Sequence, residues 1–420
     1  MSLRHSFARS TALVLFVACS GTPSSPREVA PPEITALPRA LTAGEQRIVT
    51  AANTFAPSLL AAINRTKQGE NVFISPLSAS MALGMAMNGA AGSTFDEMRT
   101  TLGFATMERT EMIESYRTLI VLLRNLDPKV DFRIANSIWY RDTFGPSITP
   151  AFLAEAKQYF DAGGAALDFT SPTAVTTINT WVKERTNGKI EKMVDNISAE
   201  IVMILINAIY FKGDWRDAFD IKLTKNGLFT ALDGAKLSVP MMSRIGKMRL
   251  GRLDGRTMVE LPYGGDAFVM DLVLPREGES VNTMVEALTP NVWSTAVASM
   301  GEGEVDLSMP KFKLEWEKML NDELKAMGMP TPFKEGGADF SRISASRGRD
   351  LYISYVKQKT FVDVNELGTE AAAATSVGVG ITSVPVRIAV RVDRPFLFVI
   401  RERKSGTILF TGKIVRPPTS

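Results

Sequence analysis

Apolar positions along this chain follow two periods, and the balance between them shifts from one end to the other. In the N-terminal half they recur every three to four residues. Ile48, Ala52, Phe55, Leu59 and Ile63 trace one helical face, and Thr42 with Glu45 three residues on forms a capping box at its start. Pro57 inside that pattern predicts a kink or an irregular turn. Ser75 before Pro76 is a second helix start, a capping side chain with proline in the first turn. The run from Ser78 to Ala91 is small and apolar with no polar face, which predicts a buried helix. Thr94 and Glu97 read as another capping box. Further helices are predicted over Met107–Leu126, Pro150–Asp161 and Thr173–Thr186.

Period two takes over later. Phe132, Ile134, Asn136, Ile138 and Tyr140 alternate within a predicted strand at Asp131–Tyr140, and the almost wholly apolar Ile201–Phe211 reads as a strand buried on both faces. Short strands and turns alternate from Lys225 to about Glu277, punctuated by Pro262 and Gly264–Gly265. Val305–Leu314 predicts a strand and Trp316–Met327 a helix stopped at Gly328. Leu351–Val364 is a long strand candidate. Val386–Arg401 and Thr407–Val415 form a final pair, joined by a turn at Lys404–Gly406. Helices crowd the first half and strands the second, so the fold class is α+β with large, mostly antiparallel sheets. No repeat or second linker interrupts the chain after Thr42, which predicts one domain over 42–418.

The stretch from Glu366 to Pro385 (ELGTEAAAATSVGVGITSVP) fits both vocabularies. Its Gly, Ala, Ser and Thr content describes a flexible surface loop. At period two, Thr369, Ala371, Ala373, Thr375, Val377, Val379 and Ile381 share one face, small at first and β-branched further on, which suits a buried strand. Both readings stand on composition alone.

The chain has 420 residues, 45% of them hydrophobic and 22% charged, enough for an ample core. Its start has the form of an export signal: Arg4, His5 and Arg9 precede an apolar core, Thr11–Ala18. Residues 1–18 are therefore read as a signal peptide, too short to span a bilayer. Phe16-Val17-Ala18-Cys19 is similar to a bacterial lipobox, which makes Cys19, the single cysteine, a lipidation site, with plain secretion the alternative. Residues 19–41, rich in Ser, Pro and Thr, read as a flexible tether. The expected location is outside the cell or on the outer membrane, with membrane contact only through a lipid at Cys19. Without the signal the chain carries 46 basic and 45 acidic residues and no basic run interleaved with aromatics, which gives no reason to expect nucleic-acid binding. His5 is the sole histidine and leaves with the signal peptide, so the mature chain lacks a Ser–His–Asp triad, a Cys–His pair and a histidine zinc site. No metal, cofactor or enzymatic activity is expected.

Seven segments together resemble signatures of the serpin family. They are VFISPLS at 72–78, AAGSTFDEM at 90–98, NAIYFKGDW at 207–215, MPKFK at 309–313, ADFSRIS at 338–344, ELGTEAAAA at 366–374 and DRPFLFVI at 393–400. They occur in the family order over most of the mature chain. The resemblance implies about nine helices, three β-sheets and an exposed reactive-centre loop. It also implies suicide inhibition: a serine or cysteine protease attacks the loop, and the cleaved loop enters the main sheet and traps the acyl-enzyme. About a dozen inserted residues at roughly 0.5–1.5 kcal/mol per net hydrogen bond give a gain of order 10 kcal/mol before ordering entropy. The resemblance makes Glu366, Gly368, Thr369, Glu370, Ala371, Ala372, Ala373 and Ala374 the insertion hinge. Counting along the loop puts the scissile bond at Thr382–Ser383, with Ile381–Thr382 the alternative. Small or β-branched residues there imply elastase-, subtilisin- or chymotrypsin-like targets. Ser75, Ser78, Asn207 and Gln358 match the family's shutter, Gln358 standing where a histidine is usual, and Trp215 matches its breach; ordinary core packing is the alternative for all five. A monomer whose partners are its target proteases is expected. A non-inhibitory binding or structural role for the same fold is the second reading.

Overall fold

A computed structural model describes residues 32–104, 107–370 and 387–418. The predicted signal peptide, Cys19, Ala371, Ala372, Ala373, Ala374, Ile381, Thr382 and Ser383 lie outside the described residues. Local signals hold wherever no tertiary partner competes for the same side chain. Thr42 accepts from the Glu45 N–H at 3.1 Å and the Glu45 carboxylate answers at the Thr42 N–H, so α1 (Ala43–Thr66) starts as predicted. It runs through Pro57 as one helix. The last residues of the expected tether lie on the domain, with the Ile34 N–H donating to the Gly265 carbonyl at 2.7 Å. Ser75 caps α2 (Pro76–Asn88), which is buried on nearly every residue because it is wedged between two sheets.

Where a partner competes, it wins. Thr94 and Glu97 do not form a capping box. Helix α3 (Gly92–Thr101) starts at Ala91 with no side-chain cap, because Thr94 accepts from the Asp339 N–H and Glu97 accepts from Thr331. The next helices are α4 (Arg109–Arg124), α5 (Pro150–Phe160) and α6 (Pro172–Arg185), close to their predicted ranges, followed by α7 (Val281–Glu286), α8 (Pro290–Ala298) and α9 (Asn321–Ala326).

The strands are β1 (Val72–Ile74), β2 (Val130–Arg141), β3 (Ala166–Leu167), β4 (Met203–Asp214), β5 (Lys225–Thr230), β6 (Lys236–Leu253), β7 (Arg256–Tyr263), β8 (Phe268–Leu274), β9 (Gly301–Pro310), β10 (Phe312–Met319), β11 (Lys357–Asn365), β12 (Gly368–Thr369), β13 (Ile388–Arg391), β14 (Phe396–Glu402) and β15 (Ile408–Ile414). One six-stranded sheet has the order β10-β11-β12-β4-β2-β3. A nine-stranded sheet has the order β1-β15-β14-β8-β7-β6-β9-β13, with β5 on β6. The 18-residue β6 pairs with β5, β7 and β9, which joins two of the three expected sheets into one hydrogen-bonded system.

Four predicted elements change. Val305–Leu314 is not one strand: β9 ends at Pro310 in the nine-stranded sheet, and β10 starts at Phe312 in the six-stranded one. Trp316–Met319 belong to β10, paired with Lys357–Thr360, because Phe312, Leu314 and Trp316 point inward at period two; the predicted helix shrinks to α9. Leu351–Val356 carry no ladder, so that strand begins at Lys357. The predicted strand Val386–Arg401 is split into β13 and β14 around Pro395, which has no N–H to give a ladder. Strand β4 is buried on both faces only from Ala208 to Phe211; before that, buried and half-buried residues alternate.

Candidate functional site

Strands β4 and β11 run parallel and flank a strand position between them that, among the described residues, only β12 occupies. Gly368 pairs with Asn365 on one side and Asp214 on the other; Thr369 pairs with Val364 and Gly213. Among the described residues β4 and β11 pair with each other nowhere. Two hinge residues of the opening ambiguity are thus already strand.

The upper end of this position is closed by large, well-bonded groups. Gly368 has φ +152°, and a Cβ there would overlap the Gly213 carbonyl and come within 2.9 Å of the Trp215 nitrogen, so only glycine fits. Thr369, 2% exposed, shares a 2.7 Å hydrogen bond with the Tyr263 hydroxyl. Burial pushes the Tyr263 phenol well up, so it remains a neutral hydroxyl. Tyr263 stacks on Trp215 with ring centroids 4.4 Å apart. The Trp215 indole N–H donates to the Asn365 carbonyl at 2.9 Å and its backbone N–H to the Leu367 carbonyl at 2.8 Å. Glu366 accepts from Thr224 and meets Lys311, each at 2.8 Å. Burial alone would raise the Glu366 carboxyl, but those two partners outweigh it and hold it below its ordinary value.

Glu370 follows β12. Its N–H bonds to the Asp363 carbonyl at 3.0 Å, continuing the ladder with β11, yet its φ is +64°. Its side chain is 3% exposed, with Lys189 at 3.6 Å. Burial raises its carboxyl above the ordinary value, against the opposing pull of Tyr210 and Lys189.

The lower end is a polar floor beneath an open cleft. Gln358 and Ser75 bond twice through the Ser75 backbone: Ser75 N–H to the Gln358 carbonyl oxygen at 3.3 Å, and Gln358 Nε2 to the Ser75 carbonyl at 2.8 Å. Ser75 Oγ donates to the Leu409 carbonyl at 2.7 Å and accepts from the Ser78 N–H at 3.3 Å. Ser78 Oγ donates to Asn207, whose Nδ2 donates to Asn136 at 2.6 Å, and Asn136 donates on to the Phe160 carbonyl. The network ties β4, β2, β11 and α2 together. Beside it, Ala79, Ala82 and Leu83 of α2, Met203 to Leu205 of β4, and Leu351 to Val356 line a cleft of about 120 Å³.

All the described residues expected in the site are therefore brought together: Glu366, Gly368, Thr369, Glu370 and Trp215 at the top, Ser75, Ser78, Asn207 and Gln358 below. Sequence reasoning missed Tyr263, Asn136, Lys311 and Lys189. Asn136 did leave a signal, as the one amide on the inward face of an otherwise apolar strand. Lys311 stood within MPKFK without a partner to give it meaning.

Comparison with known proteins gives the same picture. The family model described as serpin (serine protease inhibitor) matches residues 50–417. Human leukocyte elastase inhibitor is 34% identical over 386 residues, covering 88% of this chain and 99% of that protein. The native-state structure of tengpin, a thermophilic serpin, superposes with a TM-score of 0.81 at 30% identity, covering 92% of this chain and 97% of that one. Human thyroxine-binding globulin in complex with its hormone has a TM-score of 0.81 at 27% identity, covering 90% of this chain and all of that one.

Proposed function

The chain belongs to the serpin family, and on that premise we propose that it inhibits serine or cysteine proteases as a suicide substrate. The observation that carries the reading is the match between the loop sequence after Glu370 and the part of the strand position that no described residue fills. In the register of β12, six residues further along the loop is six residues back along each neighbour, which brings Thr375 between Asn207 and Gln358. A hydroxyl there meets the polar floor of Ser75 and Ser78. Val377 and Val379 then come opposite Leu205 and Met203, where the cleft is apolar. At these three positions the period-two face of the sequence would suit the slot.

In this mechanism a protease serine attacks the carbonyl of Thr382, or of Ile381 in the alternative register, and releases the amine of the next residue. An ester then joins loop and enzyme. Small side chains at Ala371 and Ala373 let insertion start before water hydrolyses that ester. The absence of Lys and Arg near the bond, and the relation to an elastase inhibitor, support elastase-, subtilisin- or chymotrypsin-like targets. Export, lipid attachment at Cys19 and a monomeric state belong to the same proposal. The test is incubation with elastase, subtilisin and chymotrypsin. A complex that survives SDS supports inhibition; clean cleavage without one favours a binding role, the reading to which likeness to a thyroxine-binding protein lends weight.

A further inference from the structure

We propose that Lys189 is a positioning residue that catches Glu370 and halts loop insertion at Thr369 until cleavage. The inference rests on the insertion mechanism above but concerns its resting state. Strand β12 ends at Thr369, and among the described residues no further strand follows it between β4 and β11. The residue that stops it holds φ +64°, a left-handed conformation unfavourable for a side chain other than glycine and incompatible with a continuing strand. Something must hold it there.

The structure offers one set of contacts at that point. The segment after α6 lies over the slot and turns tightly, with Asn187 at φ +52° and Gly188 at φ +79°. Thr186 fixes the turn: its carbonyl accepts from the Lys189 N–H at 3.0 Å and its hydroxyl from the Ile190 N–H at 3.1 Å. The turn delivers two side chains. Asn187 Nδ2 donates to the Tyr210 hydroxyl on β4 at 3.2 Å, and Lys189 Nζ sits 5.0 Å above the Phe361 ring on β11. The same ammonium stands 3.6 Å from the buried Glu370 carboxylate. One turn therefore touches both walls of the slot and the residue about to enter it. Asp363, paired beside Glu370, adds a like charge that Lys189 offsets.

Loss of the catch drives the hinge forward, not out. Gly368 and Thr369 keep their ladders and the Tyr263 hydrogen bond, and Glu366 keeps Lys311. The Glu370 N–H already occupies its place on β11, so relaxation of φ to the extended region adds the next strand residue.

The test uses the uncleaved full chain, without protease. Conversion to a heat-resistant, loop-inserted form is followed on warming below the melting temperature, for wild type, Lys189→Met, Glu370→Gln and the double variant. Each single variant should convert about five-fold faster, equivalent to about 1 kcal/mol, and the double variant no faster than the quicker single. Freshly prepared variants should melt at nearly the wild-type temperature, which a merely structural role would not predict. Glu370→Gly, which removes the backbone strain along with the carboxylate, should convert more slowly than Glu370→Gln. Unchanged conversion rates in the single variants, or additive effects in the double, would overturn the catch. Because no protease is involved, a protein that forms no SDS-stable complex yet shows these rates would lose the inhibitor reading and keep the catch.

Discussion

The two ends of the strand position between β4 and β11 are built in opposite ways. At the top, Trp215, Tyr263, Thr369 and the Glu366–Lys311 pair fill the space with rings and paired charges, and two loop residues already sit in the sheet. At the bottom, four small or medium polar side chains bond to one another and to backbone, and among the described residues no strand fills the space above α2. The top behaves as a closed start that fixes register, because Gly368 tolerates no Cβ and Thr369 has a specific partner. The bottom behaves as a receptive end, where every polar group has a partner now and can exchange it for an incoming strand. On the inhibitor reading proposed above, a slot with one fixed end and one adaptable end would admit a loop in one direction and one register.

The comparison can be broken most severely at the top. Thr369→Arg should abolish the SDS-stable complex and leave loop cleavage intact, since a guanidinium beside Tyr263 would be buried without a counter-charge. Gel electrophoresis of the variant after protease treatment decides this; trapping at the wild-type level would mean that the top does not gate entry. Next in size is the bottom. Gln358→Ala leaves the Ser75 N–H and carbonyl without their buried partners, and chemical denaturation should show a loss of about 1–3 kcal/mol.

A smaller effect separates the two ends by pH. Gln358 stands where the family usually has histidine, and an amide does not titrate near neutrality. Insertion rates of the wild type should therefore be flat between about pH 6 and 7.5, and Gln358→His should introduce a slope there. At the top, Glu366 supplies a contribution on the acid side. Glu366 is held below its ordinary carboxylate value of 4.5, so its folded pKa is depressed and its contribution is present above that value. The difference in melting temperature between wild type and Glu366→Gln should persist at neutral pH and fade as the pH falls below 4.5 toward the folded value.

How much of this was legible in the sequence depends on whether a residue's role is local. The Thr42–Glu45 capping box and the buried helix after Ser75 were readable because neighbours in sequence are neighbours in space. Thr94 and Glu97 satisfied the same rule and failed it, because Asp339 and Thr331, more than 230 residues away, took both side chains. Gly368 and Thr369 are strand within a stretch that composition left open between loop and strand, and the period-two face beyond them lies outside the described residues. Tyr263 and Lys189 were invisible, since each acquires its role only when a distant segment delivers it to Thr369 or Glu370. Trp316–Met319 show the same limit: their pattern suited a helix until Lys357–Thr360 supplied a ladder.

The most direct test of the central claim is the melting temperature of the protein before and after a protease cuts between residues 371 and 386. If the loop enters the slot between β4 and β11, the cut protein should melt far above the intact one, because order 10 kcal/mol of strand pairing is added to the sheet. A cut protein that melts at or below the intact temperature would contradict the account.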